Sequence, residues 1–320
     1  MSDASIRILI SKQIEAGALQ AFRDYARVDV RDDLTGDELV RQLADYDAAV
    51  LMLSNQLEAL EFERLKGSRL KIIANHAVGH ENIDLQAASA AGIRVSNTPD
   101  VLTLSSAEMA WALLLALGRR LIEGDQLVRS GQWQGWEPTQ LLGHSVIGKT
   151  LGIVGAGRIG QAMAKMGQGF GIQILYYSRH RKSDFEQSTG AQYRDLKSLF
   201  EESQLLSLHL PGGRETHHLI NKALLERVQP DTLLINTGRG STLDEAALIQ
   251  ALEQGQLAGA ALDVYEFEPR VSEALIKLPN VVLAPHLASA TVATRRAMAL
   301  TCLKNIQAVL AGHSPINALN

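Results

Sequence analysis

The chain has 320 residues and a net charge of −4; this length points to two domains, and the acidic balance argues against a nucleic-acid or anionic-membrane partner. Cys302 is the only cysteine, which excludes an intrachain disulfide and a cysteine metal cluster, and no metal site is expected. The stretch Met1 to Ser11, with Asp3 and the short apolar run Ile8-Leu9-Ile10, does not read as a signal peptide, and no apolar run approaches the ~18 residues of a membrane span, so a soluble cytoplasmic protein is expected.

Short apolar runs alternate with amphipathic helical stretches, the pattern of parallel α/β architecture. The runs Arg7 to Ile10, Ala48 to Leu53, Ile72 to Ala74 and Arg94 to Ser96 predict the strands of the first third. The proline-containing turn Asn97-Thr98-Pro99-Asp100 then precedes a long apolar helix predicted over Ser105 to Leu121, and a domain boundary is placed at that turn. An aromatic loop follows, Gln132 to Pro138, with Trp133 and Trp136. Six further runs, Leu151 to Val154, Gln173 to Tyr177, Leu205 to Leu210, Leu233 to Thr237, Gly259 to Val264 and Val281 to Ala284, fit a doubly wound nucleotide-binding domain. The tail from Leu287 carries a helical segment around Thr294 to Leu310 but no sheet, and is expected to return to the first domain. The expected organisation is a substrate-binding domain over residues 1–98 and 287–320, into which a dinucleotide-binding domain over residues 99–286 is inserted. A ligand cleft is expected between them.

Gly155-Ala156-Gly157-Arg158-Ile159-Gly160 follows the run Leu151 to Val154 and opens a helix whose apolar positions Ile159, Met163, Met166 and Phe170 recur at helical spacing. Strand, glycine turn and helix in that order form a dinucleotide fingerprint, with the pyrophosphate at the helix N-terminus. In an NAD enzyme an acid about 20 residues on accepts bonds from the ribose hydroxyls. Here the next strand ends in Ser178-Arg179-His180-Arg181. A neutral residue followed by cations suits a 2′-phosphate, so NADP(H) is expected over NAD(H). The other reading of Arg179 and Arg181 is a solvated charged loop, since Lys182 and Asp184 follow.

Hydride transfer to a ketone needs a proton donor for the developing alkoxide and a cation to orient and polarise the substrate. Arg239, Glu268 and His286 each fall at or just past the C-terminal end of a late strand, the side on which open α/β sheets bind ligands. Glu268 beside His286 would favour the imidazolium, and Arg239 can bind a 2-oxo acid in a planar fork. Taken singly, each has a plainer reading as a surface arginine in a glycine turn, a loop acid before Pro269 and a turn histidine; it is their joint placement that points to chemistry.

The chain resembles the D-isomer-specific 2-hydroxyacid dehydrogenases through Asn236-Thr237-Gly238-Arg239-Gly240, Asp263 to Pro269, Pro285-His286 and the mid-chain fingerprint. The resemblance covers nearly the whole chain and implies two Rossmann-like domains, a homodimer, and a catalytic set of Arg239, Glu268 and His286. It also implies that Thr237 and Asp263 line the nicotinamide side of the cofactor, and that the backbone N–H groups of Val78 and Gly79 hold the substrate carboxylate beside Arg239 and His286. Within the family the chain most resembles glyoxylate/hydroxypyruvate reductases. Ala74 to Asp84 looks like their substrate loop, with His80-Glu81 where Tyr-Asp is more usual, and Ile174 to Arg179 is similar to their NADP-binding strand end. The loop around Trp136 also matches, and implies either a contribution to a neighbouring subunit's site or interface packing alone. Leu287-Ala288-Ser289 departs from the common Ile-Gly-Ser.

The resemblance implies NADPH-dependent reduction of glyoxylate to glycolate and of hydroxypyruvate to D-glycerate. Three other readings remain. One is a reductase of bulkier 2-oxo acids. Another is a phosphite dehydrogenase, suggested by Val128 to Gly131, Gly135-Trp136 and Pro315 to Ala318 but opposed by Val78, where that branch carries a lysine. The last is a dinucleotide-sensing corepressor-like binding protein, which shares the fold.

Overall fold

Two all-parallel sheets organise the chain in the computed structural model, which describes residues 6–320. Residues 1–5, part of the stretch read above as no signal peptide, lie outside the described residues. The first sheet contains β1 (Arg7–Ile10), β2 (Arg27–Val30), β3 (Ala48–Leu51), β4 (Ile72–Asn75) and β5 (Arg94–Ser96), in the order β2-β1-β3-β4-β5. The second contains β6 (Thr150–Val154), β7 (Gln173–Tyr177), β8 (Gln192–Tyr193), β9 (Leu205–Leu208), β10 (Leu233–Asn236), β11 (Gly259–Leu262) and β12 (Val281–Leu283), in the order β12-β11-β10-β9-β6-β7-β8. Both orders are doubly wound, with a reversal of strand order beside β1 and beside β6. Contacts divide the chain into two units, Met1–Leu102 with Ala290–Asn320, and Thr103–Ser289.

Both faces of each sheet are covered, which is why the central strands read as continuous apolar runs. In the first unit Leu9, Leu51 and Ile73 pack with Phe62 and Leu65 on one face. Ile8, Ile10, Val50 and Ile72 pack with Phe22, Cys302 and Ile306 on the other. In the second unit Ile153, Tyr176 and Ile235 pack with Trp111, Leu114 and Met163, and Leu175, Leu206 and Leu234 pack with Phe200 and Leu248. The tail helix Val292–Leu310 lies against the first sheet, and the residues after it close the free edge of β5 through a Ser96–Ala318 bridge and a 2.7 Å bond from the Val95 N–H to Asn320 Oδ1.

Several expectations need correction. Two strands escape the apolar-run criterion, β2 (Arg-Val-Asp-Val) and the two-residue β8; both are sheet edges, where one side of the strand is not buried in a neighbour. β3 stops at Leu51 rather than Leu53, because Asn55 Oδ1 accepts the Met52 N–H at 3.0 Å and turns the chain. β9, β10, β11 and β12 likewise end one or two residues early. The helix predicted over Ser105 to Leu121 runs over Thr103–Gly118, then breaks through a left-handed Arg120 (φ 50°) into a second helix, Leu121–Arg129. The break is fixed by His144, whose N–H donates to Gly118 O at 2.7 Å. After the fingerprint the helix ends at Gly167 and leaves Met166 exposed, while Phe170 sits in a following 3-10 turn and stacks on Trp111 at 4.9 Å.

Helix Ala16–Tyr25 is tied to the tail helix by Glu15, which accepts the Ala18 N–H at 2.8 Å and two bonds from Arg296 at 2.7 and 2.9 Å. The Arg296 hydrogen bonds, aided by backbone N–H groups, pull the Glu15 carboxyl from 4.5 down to about 2. A carboxyl depressed in the fold stabilises it above its unfolded value and loses that contribution as pH falls through its folded value. Thermal melts should therefore show a constant Tm advantage of wild type over Glu15→Gln at neutral pH that shrinks as pH falls from 4.5 toward 2. A difference independent of pH would remove the ionic link.

Candidate active site

The glycine turn sits at the C-terminal end of β6, beside the end of β7, with the Gly155 N–H bonded to Tyr177 O at 2.9 Å. Gly155 adopts φ +98°, and a Cβ there would lie 2.8 Å from His209 O. A Cβ on Gly160 would lie 2.4 Å from Gly155 O, so the third glycine lets the helix Arg158–Gly167 press onto the turn. Nothing lies within 4 Å of a Cβ placed on Gly157, which leaves open space above the helix N-terminus where no side chain caps the N–H groups. Ile159 is half-buried against the core and anchors the helix. These features fit a dinucleotide pyrophosphate: close backbone approach, donor groups and a favourable dipole.

No carboxylate stands at the end of β7. Ser178 Oγ donates to His180 O, which curls the loop. The two arginines are held differently. Arg179 meets Glu215 at 3.0 Å with both side chains at least three-quarters exposed. Arg181 meets Glu186 at 2.8 Å, and Glu186 is only 18% exposed.

Arg239, Glu268 and His286 come from the ends of β10, β11 and β12, neighbours in the sheet. Asn236, fully buried, closes β10: its Nδ2 donates to Arg239 O at 3.0 Å and its Oδ1 accepts the Gly238 N–H at 3.0 Å. Arg239 is half-buried and its Nη1 donates to Gly238 O at 2.9 Å. Glu268 Oε1 accepts the Tyr265 N–H at 3.0 Å, and its Oε2 lies 2.9 Å from His286 Nδ1. Burial pushes the Glu268 carboxyl up, but the hydrogen bond and charge of His286, the Tyr265 N–H and the charge of Arg239 outweigh it and hold the group below its ordinary value. His286 has a left-handed backbone, φ +54°. Asp263 holds it there: its carbonyl accepts the His286 N–H at 2.9 Å, and its two carboxylate oxygens accept the Leu287 and Ala288 N–H groups at 2.6 and 2.8 Å. Burial raises the Asp263 carboxyl, against the pull of those two donors. Thr237 is buried with its hydroxyl lacking a partner among the described residues, an orphan donor at the strand end that suits a bound polar group.

In the first unit the carbonyls of Val78 and Gly79 are taken by Asn97 Nδ2 and Asn75 Nδ2, both at 2.8 Å. Their N–H groups engage no other group among the described residues. His76, two residues before Val78, is buried; burial and the nearby Arg295 charge push its ring down to about 4, so it is neutral at physiological pH.

Three features had no functional reading from sequence. Asn236 was visible as a polar residue ending an apolar run, yet its double role needs the turn. Glu186 was simply one helix acid among others. His218 Nε2 lies 2.7 Å from Glu266 Oε1 and ties the loop after β9 to the loop carrying Glu268, with the His217 ring stacked on it at 4.1 Å. The two ring planes are 22° apart, and one nitrogen of each ring and a Glu266 carboxylate oxygen lie within 4.8 Å of one another.

Residues 111–288 match the family model for the NAD binding domain of D-isomer specific 2-hydroxyacid dehydrogenases. A glyoxylate reductase of Thermococcus onnurineus is 44% identical over 98% of this chain and 96% of its own length. One from Pyrococcus horikoshii is 43% identical with the same coverage. Among solved structures, the TT0316 protein of Thermus thermophilus superposes with TM-score 0.91 at 38% identity, over 98% of this chain and 100% of that one. An NADPH-dependent glyoxylate/hydroxypyruvate reductase of Sinorhizobium meliloti, in complex with NADP and malonate, gives TM-score 0.85 at 36% identity over 98% and 96%. A glycine turn at the centre of a doubly wound sheet, with an arginine and a His–Glu pair at neighbouring strand ends, defines an NAD(P)-dependent dehydrogenase. The chain belongs to the D-isomer specific 2-hydroxyacid dehydrogenase family.

Proposed function

We propose that the enzyme reduces small 2-oxo acids, glyoxylate to glycolate and hydroxypyruvate to D-glycerate, with NADPH preferred over NADH. The observation that carries the chemistry is the 2.9 Å contact between His286 Nδ1 and Glu268 Oε2, with the Arg239 charge acting on the same carboxylate. The substrate class is supported by the names of the relatives.

When bound, the nicotinamide supplies the hydride. Gly155, Gly157 and Gly160, with the backbone of Arg158 and Ile159, would receive the pyrophosphate; the segment Ser178, Arg179, His180 and Arg181 would lie on the adenosine-ribose side; Thr237 and Asp263 would line the nicotinamide end. In protonated His286 both ring nitrogens are donors: Nδ1–H donates a hydrogen bond to Glu268 Oε2 and stays on the ring, so that loss of the Nε2 proton leaves a neutral imidazole. Nε2 then holds the proton delivered to the carbonyl oxygen of the substrate. Arg239 orients the carboxylate and polarises the carbonyl, and the N–H groups of Val78 and Gly79 are the further carboxylate donors. We also propose a homodimer. Helix Leu121–Arg129 buries none of its residues, and Leu121, Ile122, Val128, Trp133, Trp136 and Ile147 stand exposed, an apolar stretch suited to a second copy.

Initial rates with glyoxylate, hydroxypyruvate, pyruvate and a bulkier 2-oxo acid, each with NADPH and NADH, test this reading. Preference for NADPH with the first two acids is expected. Arg179→Ala is expected to raise KM for NADPH far more than for NADH. Equal effects on both cofactors would discard the phosphate clamp, and activity on the bulkier acid alone would discard the substrate.

A further inference from the structure

The two arginines after β7 are not equivalent. Arg181 Nε lies 2.8 Å from Glu186 Oε1, and the same oxygen accepts the Tyr176 hydroxyl at 2.6 Å. The Tyr176 hydroxyl in turn accepts the Lys182 N–H at 2.7 Å. Tyr176 is fully buried and wedged edge-on between Phe185 and Tyr193, so Glu186 is anchored to the core rather than free to swing. Arg181 and then Tyr176 hold its carboxyl below the ordinary value, which keeps it ionised at neutral pH. The Arg179 partner, Glu215, lies 36 residues away with both side chains in solvent. Such a pair is weak and screened by salt, and a phosphate displaces it easily.

We propose that Glu186 sets the strength of cofactor selectivity by holding Arg181 in reserve, so that Arg179 meets the 2′-phosphate and Arg181 does so only when Glu186 is neutralised. The inference rests on the NADPH preference proposed above. A phosphate dianion approaching Arg181 must compete with a carboxylate already anchored by the Tyr176 hydroxyl, and that carboxylate also repels it. NADH carries no charge at that position and is indifferent to both effects. Glu186 thus tempers a selectivity that two open arginines would make stronger.

The test uses full-length enzyme and fluorescence titration of Kd for 2′,5′-ADP and 5′-AMP, alongside NADPH and NADH. Glu186→Gln keeps an oxygen for the Tyr176 hydroxyl and removes the charge. It is expected to tighten 2′,5′-ADP binding roughly three- to tenfold while leaving 5′-AMP unchanged. Arg181→Ala alone should change 2′,5′-ADP binding less than about twofold, yet erase the gain when added to Glu186→Gln. Unchanged or weaker 2′,5′-ADP binding in Glu186→Gln would overturn the proposal. So would a large loss from Arg181→Ala in the otherwise wild-type enzyme, a result that stands even where Glu186→Gln does not fold. Wild-type enzyme that binds 2′,5′-ADP no tighter than 5′-AMP overturns the NADPH preference itself, and this inference with it.

Discussion

Replacing His286 with alanine is expected to lower kcat for 2-oxo acid reduction by about 10²–10⁴-fold, the range for a lost general acid, with Kd for the cofactor near wild type. The split follows from where the side chain sits. Its ring contacts Glu268 and no part of the glycine turn, while the backbone at 286 is pinned through Asp263 independently of the imidazole. Initial rates and fluorescence titration on the same preparation separate the two effects, and unchanged turnover would remove the acid role. Glu268 adds a pH signature. Because its carboxyl is held below the ordinary range, its charge persists into acid and is lost only as pH falls through that lowered value. The negative charge it sets against His286 is therefore present across neutral pH and should be lost only below the ordinary carboxylate value of 4.5.

Gly240→Ala is expected to destabilise the second unit by about 3 kcal/mol and to abolish activity, although residue 240 carries no chemistry. The constraint is space. A Cβ at this position would lie 1.9 Å from the carbonyl carbon and oxygen of Tyr265 and 2.5 Å from the Glu266 nitrogen. Those atoms are main chain and have no rotamer in which to escape. Either the turn bearing Arg239 or the loop leading to Glu268 must move, so the Arg239–Glu268–His286 arrangement opens with it. A Tm lower by roughly 6–12 °C, read by thermal melt, is the expected scale for a unit of this size. Wild-type Tm and rates in Gly240→Ala would show that the two segments do not touch in solution. Gly157→Ala is the contrasting control, since its Cβ meets nothing within 4 Å and folding should survive.

The legible parts of this molecule were those governed by local pattern. β6, β9, β10 and β11 are buried on both faces and read as apolar runs, and the glycine turn announces itself because each glycine answers a separate steric demand. β2 and β8 did not: β2 interleaves Arg27 and Asp29 with its two valines, and β8 is only two residues long. The catalytic candidates were visible as strand-end residues, but what holds them was not. Asp263 grips backbone 24 and 25 residues away, a relation carried by the pairing of β11 with β12 and by no spacing in the chain. Arg181 shows the same limit at short range. Glu186 is only five residues on, yet its capture of the guanidinium depends on Tyr176 pointing into the core with its hydroxyl at the rim.

The closure of β5 by the last residues bears on a different property of the protein. An open parallel edge is a template on which another chain can add a strand, and aggregation begins at such edges. Here Leu319 and Asn320 occupy the hydrogen-bonding groups of Val95, and the Asn320 amide reaches on to Ser89 Oγ and Ile93 O. The tail therefore guards this edge: it denies a neighbouring molecule the Val95 backbone groups that β4 leaves unpaired.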